Sequence, residues 1–161
     1  MSAVAELLAG LAHAPIEKRA ITNHGVLNEA YAYAKPSSFS RGMRIDLNGL
    51  TILLISGTAS IDEAGQSVHP GDFRAQMQRT LSNITGLLAA EGATWKDIVR
   101  TTCYLRDIER DYEAFNEERT AFFEAQGLDP LPASTGIQAI LCRPELLIEI
   151  EAIAMFRTQK A

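Results

Sequence analysis

Apolar residues recur along this chain with two periods, and the switches between them mark its elements. Met43 to Leu47 alternates around Arg44 and Asp46, and Asn48-Gly49 is a two-residue hairpin signal, so a strand and a turn are predicted. Leu50 to Ser56 comes next as a continuous apolar run, the pattern of a strand buried on both faces. Residues 57–71 are rich in Gly, Ser, Asp and Pro and read as a long loop, of the kind that often carries function. Asp72 then offers a helix cap, Phe73, Met77, Leu81, Ile84 and Leu88 keep helical spacing, and Gly92 provides a stop. Ile98 to Leu105 alternates as a strand. A second helix is predicted over Asp111 to Gln126, with Tyr112, Phe115, Phe122 and Phe123 on its apolar face. Thr135 to Leu141 and Leu146 to Phe156 read as the last two strands. Before residue 40 the pattern is weaker. Residues 2–14 suit a short helix (Val4, Leu7, Leu8, Leu11) ended by Pro15, Tyr31 to Ala34 suits a strand, and Lys35 to Ser38 a loop.

This order predicts an α+β fold in two layers, a mixed sheet covered on one face by two long helices. The last strand bears on the other face. Leu147, Glu149, Glu151, Ile153 and Met155 point one way, and Ile148, Ile150, Ala152 and Ala154 the other. Neither side is polar enough for water, so a partner subunit is expected over the second and a homo-oligomer is the natural solution.

Composition narrows the field. At 161 residues the chain has room for one domain, and 47% hydrophobic against 22% charged residues is the balance of a folded globular protein. A net charge of −5 argues against a nucleic-acid partner. The longest apolar run is far short of the roughly 20 residues a membrane helix needs. The N-terminus has no basic segment and its apolar run is broken by Glu6 and His13, so no secretory signal is read and a cytoplasmic location is expected. Two cysteines make no disulfide framework.

Candidate chemistry centres on the last strand. Glu149 and Glu151 share a face with apolar residues, so at least one carboxyl should have a raised pKa and be able to move protons near neutral pH; the alternative is a pair of interface salt bridges. Cys142 sits at a turn beside Arg143, where a guanidinium would favour the thiolate; inert packing is the alternative. Cys103 reads as core. Ser56, Gly57 and Thr58 end the buried strand, where a small backbone and hydroxyls admit a ligand closely or simply turn the chain. Phe39 and Arg41 precede the first alternating strand and could clamp a planar anion, or lie on the surface. His13, His24 and His69 have no ligand spacing, so neither a metal nor a cofactor is expected.

Several of these segments together resemble the RidA (YjgF) family: Ile55-Ser-Gly-Thr58, the helix from Phe73 with Asn83-Ile84, Gly92 to Thr102, Tyr112 to Glu117, Leu131-Pro-Ala-Ser-Thr135 and Ile148-Glu-Ile-Glu-Ala-Ile-Ala154. The resemblance spans roughly residues 40–156. It implies a chorismate-mutase-like fold over 41–161, with 1–40 as an N-terminal extension packing on the core, and a homotrimer with ligand clefts between subunits. It also implies deamination of a small enamine or imine bearing a carboxylate. Glu149 falls on the family's glutamate, Ser56 and Gly57 on its strand end, Asn116 on its helix asparagine and Phe39, loosely, on its aromatic. The arginine that grips the substrate carboxylate falls on Ser134, which cannot replace a guanidinium fork; Arg143 or Arg41 is left to substitute. Ser56 to Ile61, His69 to Asp72 and Cys142 to Glu149 are also similar to the catalytic half of chorismatases, which implies an enol-ether hydrolase with Cys142 and Glu149 in the site. Leu146 to Ile150 is similar to the 2-aminomuconate deaminases. A ligand-binding trimer without turnover is the reading from outside the enzymes.

Overall fold

The computed structural model describes residues 16–157, so the helix expected over residues 2–14 lies outside the described residues. Six strands form one sheet in the order β1-β2-β3-β6-β4-β5: β1 (Lys18–Ala20), β2 (Gly42–Leu47), β3 (Leu50–Ala59), β4 (Ile98–Leu105), β5 (Ala133–Gln138) and β6 (Ile148–Arg157). Only β4 and β5 run parallel, joined through helix α2 (Ile108–Ala125); α1 (Phe73–Ala90) lies between β3 and β4 in sequence. The α+β prediction with two long helices holds.

Local signals act where the sequence placed them. Asn48 and Gly49 turn the β2–β3 hairpin with φ of 49° and 84°, the left-handed pair that a two-residue turn of this hand needs. The Asp72 side chain accepts from the Ala75 N–H at 3.0 Å and starts α1. Met77, Leu81, Ile84, Leu87 and Leu88 then bury against Leu53, Ile55, Ile148 and Ile150. Trp95, 1% exposed, locks the two helices together. Its ring meets Phe122 edge-on at 5.0 Å and its Nε1 donates to Thr85 Oγ1 at 2.8 Å.

Four expectations change. The segment 31–34 is not a strand: Ala30–Ala32 is a 3₁₀ turn, because the place beside β2 is taken by Lys18–Ala20, a strand too short and too exposed to show a period. Helix α2 starts at Ile108, where Asp107 caps it by accepting from the Arg110 N–H, and Tyr112 lies on its outer side, 52% exposed. β5 stops at Gln138, and Leu141 instead packs on Ala59 and Leu146 in a small second cluster. β3 is buried on one face only. Leu53 and Ile55 face the helices, while Leu54, 40% exposed, pairs across β6 with Ile153 on a bare side.

Two buried amides and an arginine brace the junction of β3 and β6. Gln76 Nε2 donates to the Glu145 and His69 carbonyls, at 2.8 and 3.1 Å, while its Oε1 accepts from the Leu147 N–H at 2.8 Å. Asn83 Nδ2 donates to the carbonyls of Ala59 and Ile61, at 3.1 and 3.0 Å. Helix α1 thereby fixes the end of β3 and the approach to β6. Arg106 adds donations to the Leu146 and Arg143 carbonyls at 2.5 and 2.6 Å.

A cleft around Glu149

Where β3 crosses the start of β6 the ladder slips. Ile55 pairs with Ala152 but Thr58 with Ile150, which leaves Ser56-Gly57 as a bulge. The bulge makes room for the neighbouring side chain, since a Cβ on Gly57 would collide with Oε1 of Glu149. Ser56 is tied back to the segment before β2: its Oγ donates to the Ser40 carbonyl at 2.7 Å and its N–H to the Arg41 carbonyl at 3.1 Å. The result is a cleft of about 450 Å³ at one end of the bare sheet face, the size range of small-molecule sites.

Glu149 forms the floor. Burial pushes its carboxyl above the ordinary value, Cys142 opposes that by donating its Sγ to Oε2 at 3.7 Å, and the nearby Glu151 reinforces it. Glu149 has no cationic partner within salt-bridge reach among the described residues. Of the two readings of Cys142, its surroundings do not favour the thiolate. Burial first, then the charge of Glu149, push the thiol up, so Arg143 does not win and the sulfur stays a neutral donor.

Arg41 is no surface residue. It is 3% exposed, its guanidinium lies 4.9 Å from the Tyr33 ring centre and 5.3 Å from that of Phe39, and Nε and Nη2 both donate to the Asn28 carbonyl at 2.9 Å. Burial lowers its pKa against the opposing pull of Tyr33 and Glu29. Arg143 donates through Nη1 to the Gly65 carbonyl at 2.7 Å and to Ser67 Oγ at 3.2 Å.

Phe39, Arg41, Ser56, Gly57, Cys142, Arg143 and Glu149 therefore converge on one cleft. The other three sequence candidates do not. Thr58 is 2% exposed and spends its hydroxyl on the Ser56 carbonyl. Asn116 and Ser134 lie together on the α2–β5 flank, on the helix side of the sheet. Arg119 donates to Asn116 Oδ1 at 2.6 Å and to Ser134 Oγ at 3.3 Å.

Sequence reasoning misses Tyr33. Its ring packs on Gly65 and lines the cleft, and its buried hydroxyl has no hydrogen-bond partner among the described residues. Burial raises its pKa against the pull of Arg41 and Arg143. The phenol that Phe39 lacks is thus present in the cleft wall, six positions earlier than the match suggests. The alternation of Tyr31 and Tyr33 is the available signal, and by period alone it points to a strand.

Comparison with known proteins places the chain in a family. The family model described as endoribonuclease L-PSP matches residues 32–156. A RutC family protein of Haemophilus influenzae is 32% identical over 111 residues, covering 69% of this chain and 82% of its own. The 3-aminoacrylate deaminase RutC of Acinetobacter baylyi is 34% identical over 103 residues, 64% of this chain and 78% of that protein. Among solved structures, the YjgF gene product of E. coli superposes with a TM-score of 0.69 at 27% identity, covering 86% of this chain and 99% of that one. The chain belongs to the endoribonuclease L-PSP family, the RidA (YjgF) family of the sequence resemblance. No helix among the described residues is long and apolar enough to cross a membrane.

Proposed function

We propose that this protein is a homotrimeric deaminase that hydrolyses a small enamine or imine bearing a carboxylate, with Glu149 as acid and base. One observation carries the reading: a half-buried carboxyl of raised pKa, with no cationic partner among the described residues, stands over a glycine bulge in a small-molecule cleft. The activity named for the A. baylyi relative supports the class of reaction.

Glu149 delivers its proton to the nucleophilic carbon of the C=C–N unit, giving a C=N⁺ cation. The carboxylate left behind takes a proton from the water that attacks the carbon bonded to nitrogen in that cation. Nitrogen departs as ammonia and an oxo acid remains. Each molecule consumes one water and returns the proton to Glu149. Arg41, and Arg143 at the mouth, supply positive potential for the carboxylate; Ser56 and Gly57 let the substrate approach the backbone. The trimer reading rests on the bare face, where Leu54, Ile137 and Met155 are about two-fifths exposed around Ile153.

The test is ammonia release from freshly generated 2-aminoacrylate and 3-aminoacrylate, by wild type and by Glu149→Gln. Acceleration that is lost in the variant is expected. Absence of acceleration by wild type removes this reading. The contact between Cys142 and Glu149 favours one second reading, enol-ether hydrolysis, in which the same proton goes to a C=C–O unit; chorismate consumption measures it. Ser134 in place of the family arginine favours another, a ligand-binding trimer without turnover, in which Glu149→Gln leaves affinity for a carboxylate ligand unchanged.

A further inference from the structure

The Glu149 cleft does not end at Arg143. A second hollow, of about 660 Å³, adjoins it, and Tyr33, Ser37, Cys142 and Arg143 border both. Lys35 and Glu145 line only the outer one. Two lobes therefore meet at a neck, and the inner lobe alone already has the size of a small-molecule site. A substrate as small as an aminoacrylate needs only that inner lobe.

The two arginines of the cleft differ in what they have left to offer. Arg41 spends Nε and Nη2 on the Asn28 carbonyl, so only its Nη1 is without a partner among the described residues. Arg143 is held the other way round. Its Nη1 donates to the Gly65 carbonyl and to Ser67 Oγ, while its Nε and Nη2 make no hydrogen bond among the described residues. Those two nitrogens form the edge of a guanidinium that grips both oxygens of a carboxylate at once. No carboxylate of the chain takes that edge. Neither Arg143 nor Lys35, an exposed ammonium on the outer lobe, has an ion pair among the described residues. Glu145 is the acidic group there. The Ser67 hydroxyl, its own backbone, and then the charges of Arg143 and Arg106 hold its carboxyl below the ordinary value, so it stays ionised. It offsets one of the two cations, and the balance of the lobe stays positive. Tyr33, whose ring forms part of the neck, lies in the field of both Arg41 and Arg143 and spends its hydroxyl on neither.

We propose that the substrate is a diacid, with its reacting end on Glu149 and its second, distal carboxylate in the outer lobe, on the Nε–Nη2 edge of Arg143 with Lys35 adding charge. This rests on the proposed function for the reaction, and deepens it by naming the substrate class, an unsaturated amino diacid in place of a monoacid. Arg41, with its single unspent nitrogen, and the Ser56-Gly57 bulge are left for the carboxylate at the reacting end.

The test needs no turnover. The full chain is titrated calorimetrically with oxo acids of the product class in pairs of equal chain length, 2-oxoadipate against 2-oxohexanoate and 2-oxoglutarate against 2-oxopentanoate. Each monoacid lacks only the distal carboxylate. In at least one pair the diacid is expected to bind at least about tenfold more tightly. Arg143→Gln should remove about tenfold of that preference, and Lys35→Gln a few-fold. Arg143 also ties down the loop at Gly65, so Arg143→Lys and melting curves separate a lost fork from a loosened loop: the lysine variant keeps the charge and should keep part of the preference. Lys35→Glu, at an exposed position, lowers the preference without touching the loop. Equal affinity within both pairs overturns the proposal, as does binding of neither acid at millimolar concentration, or a preference that survives both Arg143→Gln and Lys35→Glu. If the diacid preference depends on Arg143 while wild type hydrolyses no enamine, the deaminase reading falls and the diacid site stands. If enamines are hydrolysed and no diacid is preferred, the diacid site falls and the deaminase reading stands.

Discussion

Two carboxylates at opposite ends of one sheet show how burial can be put to different uses. Glu91, at the end of α1, has a side chain 2% exposed and is met by two guanidiniums. Arg19 donates at 2.8 and 2.6 Å, Arg44 at 3.2 Å, and Arg44 also holds Asp46 with two further hydrogen bonds. Thr51 donates to Asp46 at 2.6 Å, and the Asp46 carboxyl is held at about 2. That network ties β1 and β2 to the helix layer. Among the described residues the Glu149 carboxylate meets only a thiol, and its carboxyl moves the other way. A buried charge matched by cations is a structural clamp; one left unmatched is costly to the fold and stays reactive.

The comparison breaks most sharply at Glu149 itself. Glu149→Gln is expected to lower kcat by about 10² to 10⁴, the range for losing a general acid–base, while leaving the protein as stable or more so in urea. Gly57→Ala comes next. Its Cβ displaces the Glu149 carboxyl, and a misplacement of that order costs about 10² in rate; an unchanged kcat would show that the bulge does not position Glu149. At the other end, Glu91→Ala should cost about 2–3 kcal/mol of unfolding free energy, since buried charge-assisted hydrogen bonds are lost, with kcat untouched. Denaturant titration beside a rate assay measures both halves.

Stability against pH sharpens the contrast because the two ends have opposite signs. Asp46 titrates in the folded protein at about 2, below its ordinary 3.8, so its contribution is complete above that ordinary value and drains as pH falls toward about 2. The deficit of Asp46→Asn should therefore vanish across that interval. Glu149 is raised above its ordinary 4.5, so the folded state holds the proton more tightly than the unfolded one. Its effect is absent at pH values below 4.5 and becomes a penalty as pH rises through the folded value. Glu149→Gln should gain stability over wild type on that rise, and melting curves from acid to neutral pH show whether it does.

What the sequence made legible divides along the same line. The helices, the Asn48-Gly49 hairpin and the alternation that puts Glu149 on the bare face arise from local periods and turn chemistry, and the structure keeps them. The clamp at Glu91 and the place of Tyr33 in the cleft wall beside Phe39 and Arg41 were illegible, because partners such as Arg19 and Glu91 lie far apart in sequence and meet only through the tertiary path of residues 16–41. Ser134 was visible as a departure, but its neighbour Arg119 was not, since an arginine inside an amphipathic helix looks like any solvated charge until β5 is placed beside it.

The smallest effect concerns the thiol beside the proposed acid. Cys142 Sγ donates to Glu149 Oε2, and a donor favours the charged carboxylate, so the thiol partly offsets burial. Removing it in Cys142→Ala should raise the Glu149 carboxyl further, and the hydroxyl of Cys142→Ser, a stronger donor, should lower it. In kcat/KM against pH, the limb on which Glu149 loses its proton then moves to higher pH in the alanine variant and to lower pH in the serine variant. Plateau rates should stay within about threefold, because the proton still comes from Glu149. A thiol acting as nucleophile predicts something else, loss of turnover in both variants and inactivation by alkylating reagents at neutral pH. The raised thiol pKa argues against that outcome, since the reactive thiolate is then the minor form. The direction in which the limb moves thus separates a sulfur that tunes the acid from a sulfur that performs the chemistry.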